Sequence, residues 1–250
     1  MPVPVSFLHL LESQTPIDTF TYTGIPISLG SANWSDQVLG GSHNPLQATG
    51  AAVMATNPDT DNSGWRNDQN WGPNLAMMLT MTTKGSAGNG SIGLYFGLQG
   101  AGLGTGTPNG YRGECRIRSG STDEFRIQRC DVGVDTQILT ATIDPSTLQE
   151  LIATESLAVI RVGVQIEVWG KFGSGVGWNF KGSIGDATYM AAGKVGILIN
   201  DSTTADSVYD SLRVMDIPAT YGRRVSYLQM PQKPPWQQRY TIGSLEDLTV

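Results

Sequence analysis

The sequence predicts an all-β fold, an antiparallel sandwich of many short strands, and three observations predict it. Apolar residues recur at every second position in segment after segment, which gives each strand one apolar and one polar face. Turn clusters such as residues 84–90, 118–123 and 173–177 separate those segments, and their glycines permit the positive φ that tight connections require. Charged residues make up only 15% of the chain, against 39% hydrophobic and 31 glycines, a balance suited to short strands around a sizeable core. A chain of 250 residues has room for two small domains, but sandwiches of this length form one.

Taken in order, Phe7 to Glu12 predicts a single helical turn. Leu75, Met77, Leu79 and Met81 form the first clear alternation, and Ile92, Leu94, Phe96 and Leu98 form the second. The arginines Arg112, Arg116, Arg118, Arg126 and Arg129 fall on one hairpin turning near Ser121, with Ile117 opposite Ile127. That register points Arg116, Arg118 and Arg126 outward as a basic stripe, which reads either as a solvated face or as an anion site. It also points Cys115 inward and Cys130 outward, so both are expected as free thiols. Residues 145–153 suit about two helical turns capped by Asp144. From Ile160 through Val162, Val164, Ile166 and Val168 the alternation predicts one long strand, with Arg161, Gln165 and Glu167 on its solvated face. Val195, Ile197 and Ile199, then Val208, Leu212 and Val214, complete a total of about eleven strands.

The block from Ser156 to Ile217 carries a family resemblance. A long strand and a Gly-rich turn lead to Trp178-Asn-Phe-Lys-Gly182, then to Gly193-Lys-Val-Gly-Ile197 and Val208-Tyr-Asp-Ser-Leu-Arg-Val214. This resembles the concanavalin A-like, laminin G-like jelly rolls, and Asp18-Thr-Phe20 and Ser31-Ala-Asn-Trp34 resemble the way such domains begin. The resemblance implies a jelly-roll sandwich over residues 18–217, an N-terminal arm over 1–17 and a C-terminal arm over 218–250. Such domains also occur in bacteriophage virion proteins, and the Gly-rich chain with extended ends is similar to those. These motifs are packing signatures, so they speak to fold more than to function.

Several functions are disfavoured. A net charge of −6 gives no general attraction to nucleic acid. No apolar stretch approaches the roughly 20 residues of a membrane span. The first Lys or Arg is Arg66, so no secretory leader is expected, and the sequons at Asn33, Asn89 and Asn200 read as chance. His9 and His43 offer no triad, and Glu167 has no acidic partner at the spacing of a laminarinase-like glycosidase. Gly88-Asn-Gly-Ser-Ile-Gly93 fits a dinucleotide fingerprint formally but leads into an alternating strand, not a helix.

Two loops and two arms remain. Asp59, Asp61 and Ser63 reproduce the opening of a calcium loop without its closing acid, and an Asx-rich turn fits the same residues. Trp65, Arg66, Asn67, Asp68, Asn70 and Trp71 combine flat aromatic faces with planar hydrogen-bonding groups, as a glycan site does; tryptophans that cap the sandwich edge or meet a neighbouring subunit are the other reading of the same residues. Phe7 and Leu8 in the first arm, and Trp236, Arg239 and Tyr240 in the second, are apolar or amphipathic anchors on proline-punctuated segments, suited to assembly contacts. The first 65 residues carry acids and no Lys or Arg, while Arg223, Arg224, Lys233 and Arg239 make the other end basic. The expectation is a non-catalytic structural or adhesion component of a phage particle: a decoration, fibre or tail protein in the virion. Its partners would be other virion proteins, further copies of itself and a cell-surface glycan. A carbohydrate-binding module is the alternative, with a glycan-cleaving enzyme behind it. No cofactor is expected beyond a calcium ion at the Asp59 loop.

Overall fold

The computed structural model describes residues 5–24, 33–36, 44–50, 53–55, 61–83, 90–100, 108–117, 124–142, 155–171, 177–200 and 208–218. Among them lie one helix, α1 (Val5–Ser13), and fifteen strands. The early strands are short: β1 (Thr23–Gly24), β2 (Trp34–Asp36), β3 (Leu46–Thr49), β4 (Val53–Ala55) and β5 (Asn62–Arg66). Longer ones follow in β6 (Leu75–Thr83), β7 (Gly90–Gln99), β8 (Asn109–Ile117), β9 (Glu124–Asp131) and β10 (Val134–Thr142). The last are β11 (Glu155–Val162), β12 (Gln165–Lys171), β13 (Asn179–Gly185), β14 (Lys194–Asn200) and β15 (Val208–Asp216).

These make two antiparallel sheets, one of eight strands in the order β1-β3-β4-β15-β6-β11-β12-β13 and one of seven in the order β10-β9-β8-β7-β14-β5-β2. The non-sequential neighbours, such as β15 between β4 and β6 and β14 between β7 and β5, are the crossings of a jelly-roll sandwich of concanavalin A-like form. Alternation chooses the core as expected. Leu75, Met77, Leu79 and Met81 meet Ile92, Leu94 and Phe96 between the sheets, with Val195, Ile197, Ile199, Leu212 and Val214 around them. Asp18 and Trp34, from the two opening motifs, also meet: Trp34 Nε1 donates to Asp18 Oδ2 at 2.6 Å. Chain contacts divide the molecule into Met1–Ile217 and Pro218–Val250.

Three expectations are corrected. The one long strand expected through Ile160, Val162, Val164, Ile166 and Val168 is a hairpin, β11 and β12, joined by Gly163 and Val164, and Gly163 has φ +59, which glycine alone adopts without strain. Pairing Arg161 with Ile166 reverses the expected parity before the turn. Leu157 and Val159 enter the core, and Arg161, 1% exposed, lies 4.7 Å over the Tyr111 ring. Glu167 is not solvated either; it is 3% exposed and accepts from Trp169 Nε1 at 2.9 Å.

The second correction concerns the N-terminal arm. Val5–Ser13 is a helix whose Phe7, Leu8 and Leu11 are buried. It lies over β6 and β15 on the outer face of the eight-stranded sheet, held by Lys171 Nζ donating to Glu12 at 2.6 Å and Arg213 Nε donating to the Gln14 carbonyl at 2.9 Å. Phe7 and Leu8 therefore bury their apolar surface within their own chain and are not free for a neighbour. Third, Ile127 pairs with Gly113, four residues from the expected Ile117. An even shift keeps every side chain on its face, so Cys115 still points into the core, Cys130 still points outward, and both are free thiols.

Candidate functional site

The outer face of the seven-stranded sheet is a grid of side chains set by strand register. One row across it runs Trp65, Gly196, Tyr95, Arg112 and Gln128; the next runs Ser63, Leu198, Gly93, Glu114 and Arg126. A third runs Asn200, Ser91, Arg116 and Glu124. The apolar end is a small cluster of Tyr95, Leu98 and Leu198 with Trp65 packed on it. The polar end is organised by Arg112.

Arg112 is 6% exposed, and oxygens surround its guanidinium. Nε donates to Gln128 Oε1 at 2.7 Å and lies 3.1 Å from Glu114 Oε2. Nη1 donates to the Tyr95 hydroxyl at 3.0 Å and to Asp61 Oδ2 at 3.4 Å, while Nη2 meets Asp135 Oδ2 at 3.1 Å and also donates to Gln128. Burial pulls against the charge of Arg112, but the fields of Tyr95, Glu114, Asp135 and Asp61 outweigh it and hold its pKa well above the ordinary value. Burial raises the pKa of Glu114, against the lowering fields of Arg112 and Arg126. Beside it, Arg126 Nε donates to Glu124 at 2.9 Å, and Nη1 stands 3.5 Å from Glu114 Oε1.

Above this network lies a depression of about 380 Å³. Asp61 and Asn200 border one side, the latter donating to the former at 2.7 Å, and Arg116 and Arg126 border the other. Small residues, Gly90 and Ser91, leave it open between them. The expected arginine stripe is thus real at Arg116 and Arg126, but carboxylates from other strands interleave with it; Arg118 lies outside the described residues. Sequence reasoning missed Glu114, Asp61 and Asn200 as members of this site, and Asp61 and Asn200 reach it only through sheet order. The alternating Arg112, Glu114 and Arg116 were the available signal.

The six residues of the tryptophan loop do not share one exposed surface. Trp71 is 3% exposed and belongs to the core, its backbone bridged to Gly193, and Trp65 lies half-buried on strand β5. Arg66 is buried, joined to Asp18 at 3.0 Å and to Asp68 at 2.6 Å, with its guanidinium over the Trp34 ring. Asn67 donates to Ser35, and Asp68 and Asn70 are exposed. The physical reason is that this segment starts as strand β5 between β14 and β2 and ends in the Trp71 bridge to Gly193, so its large residues are drawn into packing.

Asp61 and Ser63, the described residues of the expected calcium loop, are engaged within the sheet. Asp61 is engaged with Arg112 and Asn200, Ser63 is buried in β5 with its N–H on the Asn44 carbonyl, and Asp59 lies outside the described residues. Among the described residues no group of three or more His, Cys, Asp or Glu is placed to hold a metal ion, and no helix is long and apolar enough to cross a membrane. His9 is exposed and pairs with Glu12 at 2.8 Å. His43, residues 145–153, Trp236, Arg239 and Tyr240 lie outside the described residues.

No family model matches the chain, and no curated protein matches it. Solved structures do. The exoplasmic/lumenal domain of VIP36, in a Ca2+/Man-bound form, superposes with a TM-score of 0.57 at 12% identity, over 79% of this chain and 88% of that one. The carbohydrate-binding module CBM66 from Bacillus subtilis gives 0.53 at 14%, over 74% and 96%. A legume lectin-like domain from Entamoeba histolytica gives 0.51 at 10%, over 82% and 100%. At these identities the likeness establishes the shared fold, a concanavalin A-like jelly roll.

Proposed function

We propose that this protein is a glycan-binding module that does not cleave its ligand, and that the sugar sits in the depression above Glu114. The observation that carries the reading is the depression itself: rigid donors and acceptors from several strands border one recess, on a fold shared with a lectin-like domain and a carbohydrate-binding module. A sugar hydroxyl both donates and accepts, so a recess that sets arginine N–H groups beside carboxylate and amide oxygens can satisfy each hydroxyl twice. Its volume of about 380 Å³ falls within the range of small-molecule sites. Because burial and mutual pairing hold Glu114 and Arg126 in place, little side-chain entropy is lost on binding.

Binding without cleavage is supported by the state of the acids. A glycosidase needs two carboxyl groups flanking the bond, one free to give a proton and one free to attack or to activate water. Glu114 and Asp61 are both tied to the same guanidinium. Labelled protein on an array of neutral and acidic glycans tests the reading, with Asp61→Asn and Arg126→Ala each expected to weaken binding about tenfold while the β-sheet spectrum is unchanged. Retention of full binding by both variants would remove the site from this face, and release of shortened glycan would make the protein an enzyme. Display on a phage particle would give the module a place of action; its support is the proline-punctuated run at 231–236, and incorporation of tagged protein into particles is its test.

A further inference from the structure

Building on that glycan reading, we propose that Arg112 serves the site as a built-in cation, orienting its acceptor carboxylates so that sugar binding needs no metal ion. Asp61, Tyr95, Glu114, Gln128 and Asp135 reach the guanidinium from β7, β8, β9, β10 and the residue before β5, so one side chain ties most of the sheet's width. Its five N–H groups form a rigid planar fork that fixes the direction as well as the position of each oxygen. A calcium ion would instead draw carboxylate oxygens to about 2.3–2.6 Å of itself. The point on which Asp61, Glu114 and Asp135 converge already holds a positive charge that cannot be lost at accessible pH. An ion approaching those carboxylates would meet Arg112 at close range, and Arg112, 6% exposed, cannot leave without abandoning its partners. The arginine and a metal are alternatives at this point, and the chain has supplied the arginine.

The test uses the full chain on the same mixed-glycan array, read once in a chelating buffer and once with millimolar calcium. The same glycans should bind within about twofold in both buffers. Arg112→Lys keeps the charge but not the fork, and should bind at least about tenfold more weakly with its thermal unfolding still cooperative. Arg112→Ala should bind still more weakly and recover in part when free guanidinium is added at low, non-denaturing concentration, a rescue that a merely structural defect would not show. Binding that chelation abolishes and calcium restores would overturn the proposal while leaving the glycan reading intact, and so would an Arg112→Lys protein that binds as the parent does. Protein that binds no glycan in either buffer would overturn the glycan reading and this one with it.

Discussion

On the eight-stranded sheet the outward side chains of β6 and β15 lie beneath an amphipathic helix from the same chain, and Phe7, Leu8 and Leu11 are buried there. On the seven-stranded sheet the outward side chains of β8 and β9 include Arg112, Glu114, Arg116, Glu124 and Arg126, yet Arg112 and Glu114 are hidden from water by one another and by their neighbours. One face is closed by apolar burial and the other by mutual pairing of ions. The two closures have different thermodynamics. Burial of a leucine removes apolar area from water and stabilises the fold directly. A buried ion pair must first overcome desolvation and often returns little net stability, although breaking it is costly. A face built the second way holds polar groups in fixed directions, which a binding surface requires and a helix cover does not.

That contrast predicts unequal and separable effects. Arg112→Met leaves Asp135 without its cation and Glu114 with only the more distant Arg126, and should destabilise the protein by about 3–5 kcal/mol in a denaturant titration. Loss of glycan binding should accompany it. Leu8→Ala opens a cavity under α1 and should cost about 2–4 kcal/mol, with glycan binding at the opposite face unchanged. If Leu8→Ala leaves stability intact but disrupts an oligomer, α1 is an assembly contact after all, and the closed face is closed by a neighbour.

A third change belongs to neither face. Asp186 accepts from the Tyr111 hydroxyl at 2.7 Å and from Arg129 at 2.9 Å. Burial raises its pKa, but those bonds and that of Thr188 outweigh it and bring the value from 3.8 to about 2. A carboxylate with a depressed folded pKa stabilises the protein above its unfolded value, and that stability is lost as pH falls from 3.8 toward 2. Asp186→Asn should therefore cost about 2 kcal/mol at neutral pH and flatten the acid limb of the stability curve below pH about 4. An unchanged acid limb would mean that the transition is set elsewhere.

How far the sequence discloses each face follows from the same physics. Alternation finds the inner rows because burial between the sheets demands apolar residues there, and Leu75 to Met81 and Val195 to Ile199 were legible on that ground. It failed at Gly163, where a two-residue turn reverses facing while the apolar spacing runs on without a break. The charged face was half legible. Arg112, Arg116 and Arg126 stood out in one hairpin, but Asp61 and Asn200 join them only because β14 inserts between β7 and β5. Trp65 and Trp71 misled, since an aromatic near turn-forming residues looks the same in sequence whether it lines a core or faces a sugar.

The smallest expected effect on stability is also the sharpest test of the comparison. Glu114→Gln keeps the shape and one acceptor oxygen, removes the charge, and leaves Arg112 paired with Asp61 and Asp135 and Arg126 paired with Glu124. Burial raises the folded pKa of Glu114, so its contribution to stability is fully present below the unfolded value of 4.5 and is lost as pH rises through the folded value. Glutamine has no such loss. Relative to the parent, the variant should gain stability as pH rises through that window and differ from it by less than about 1 kcal/mol at neutral pH. Its glycan binding should nevertheless fall, because an anionic acceptor forms stronger bonds to sugar hydroxyls than an amide does. Equilibrium unfolding between pH 4 and 8, paired with the glycan array, measures both. A loss of several kcal/mol at neutral pH would mean that the ion network stabilises the fold as the helix-covered face does, and the distinction between the two faces would disappear.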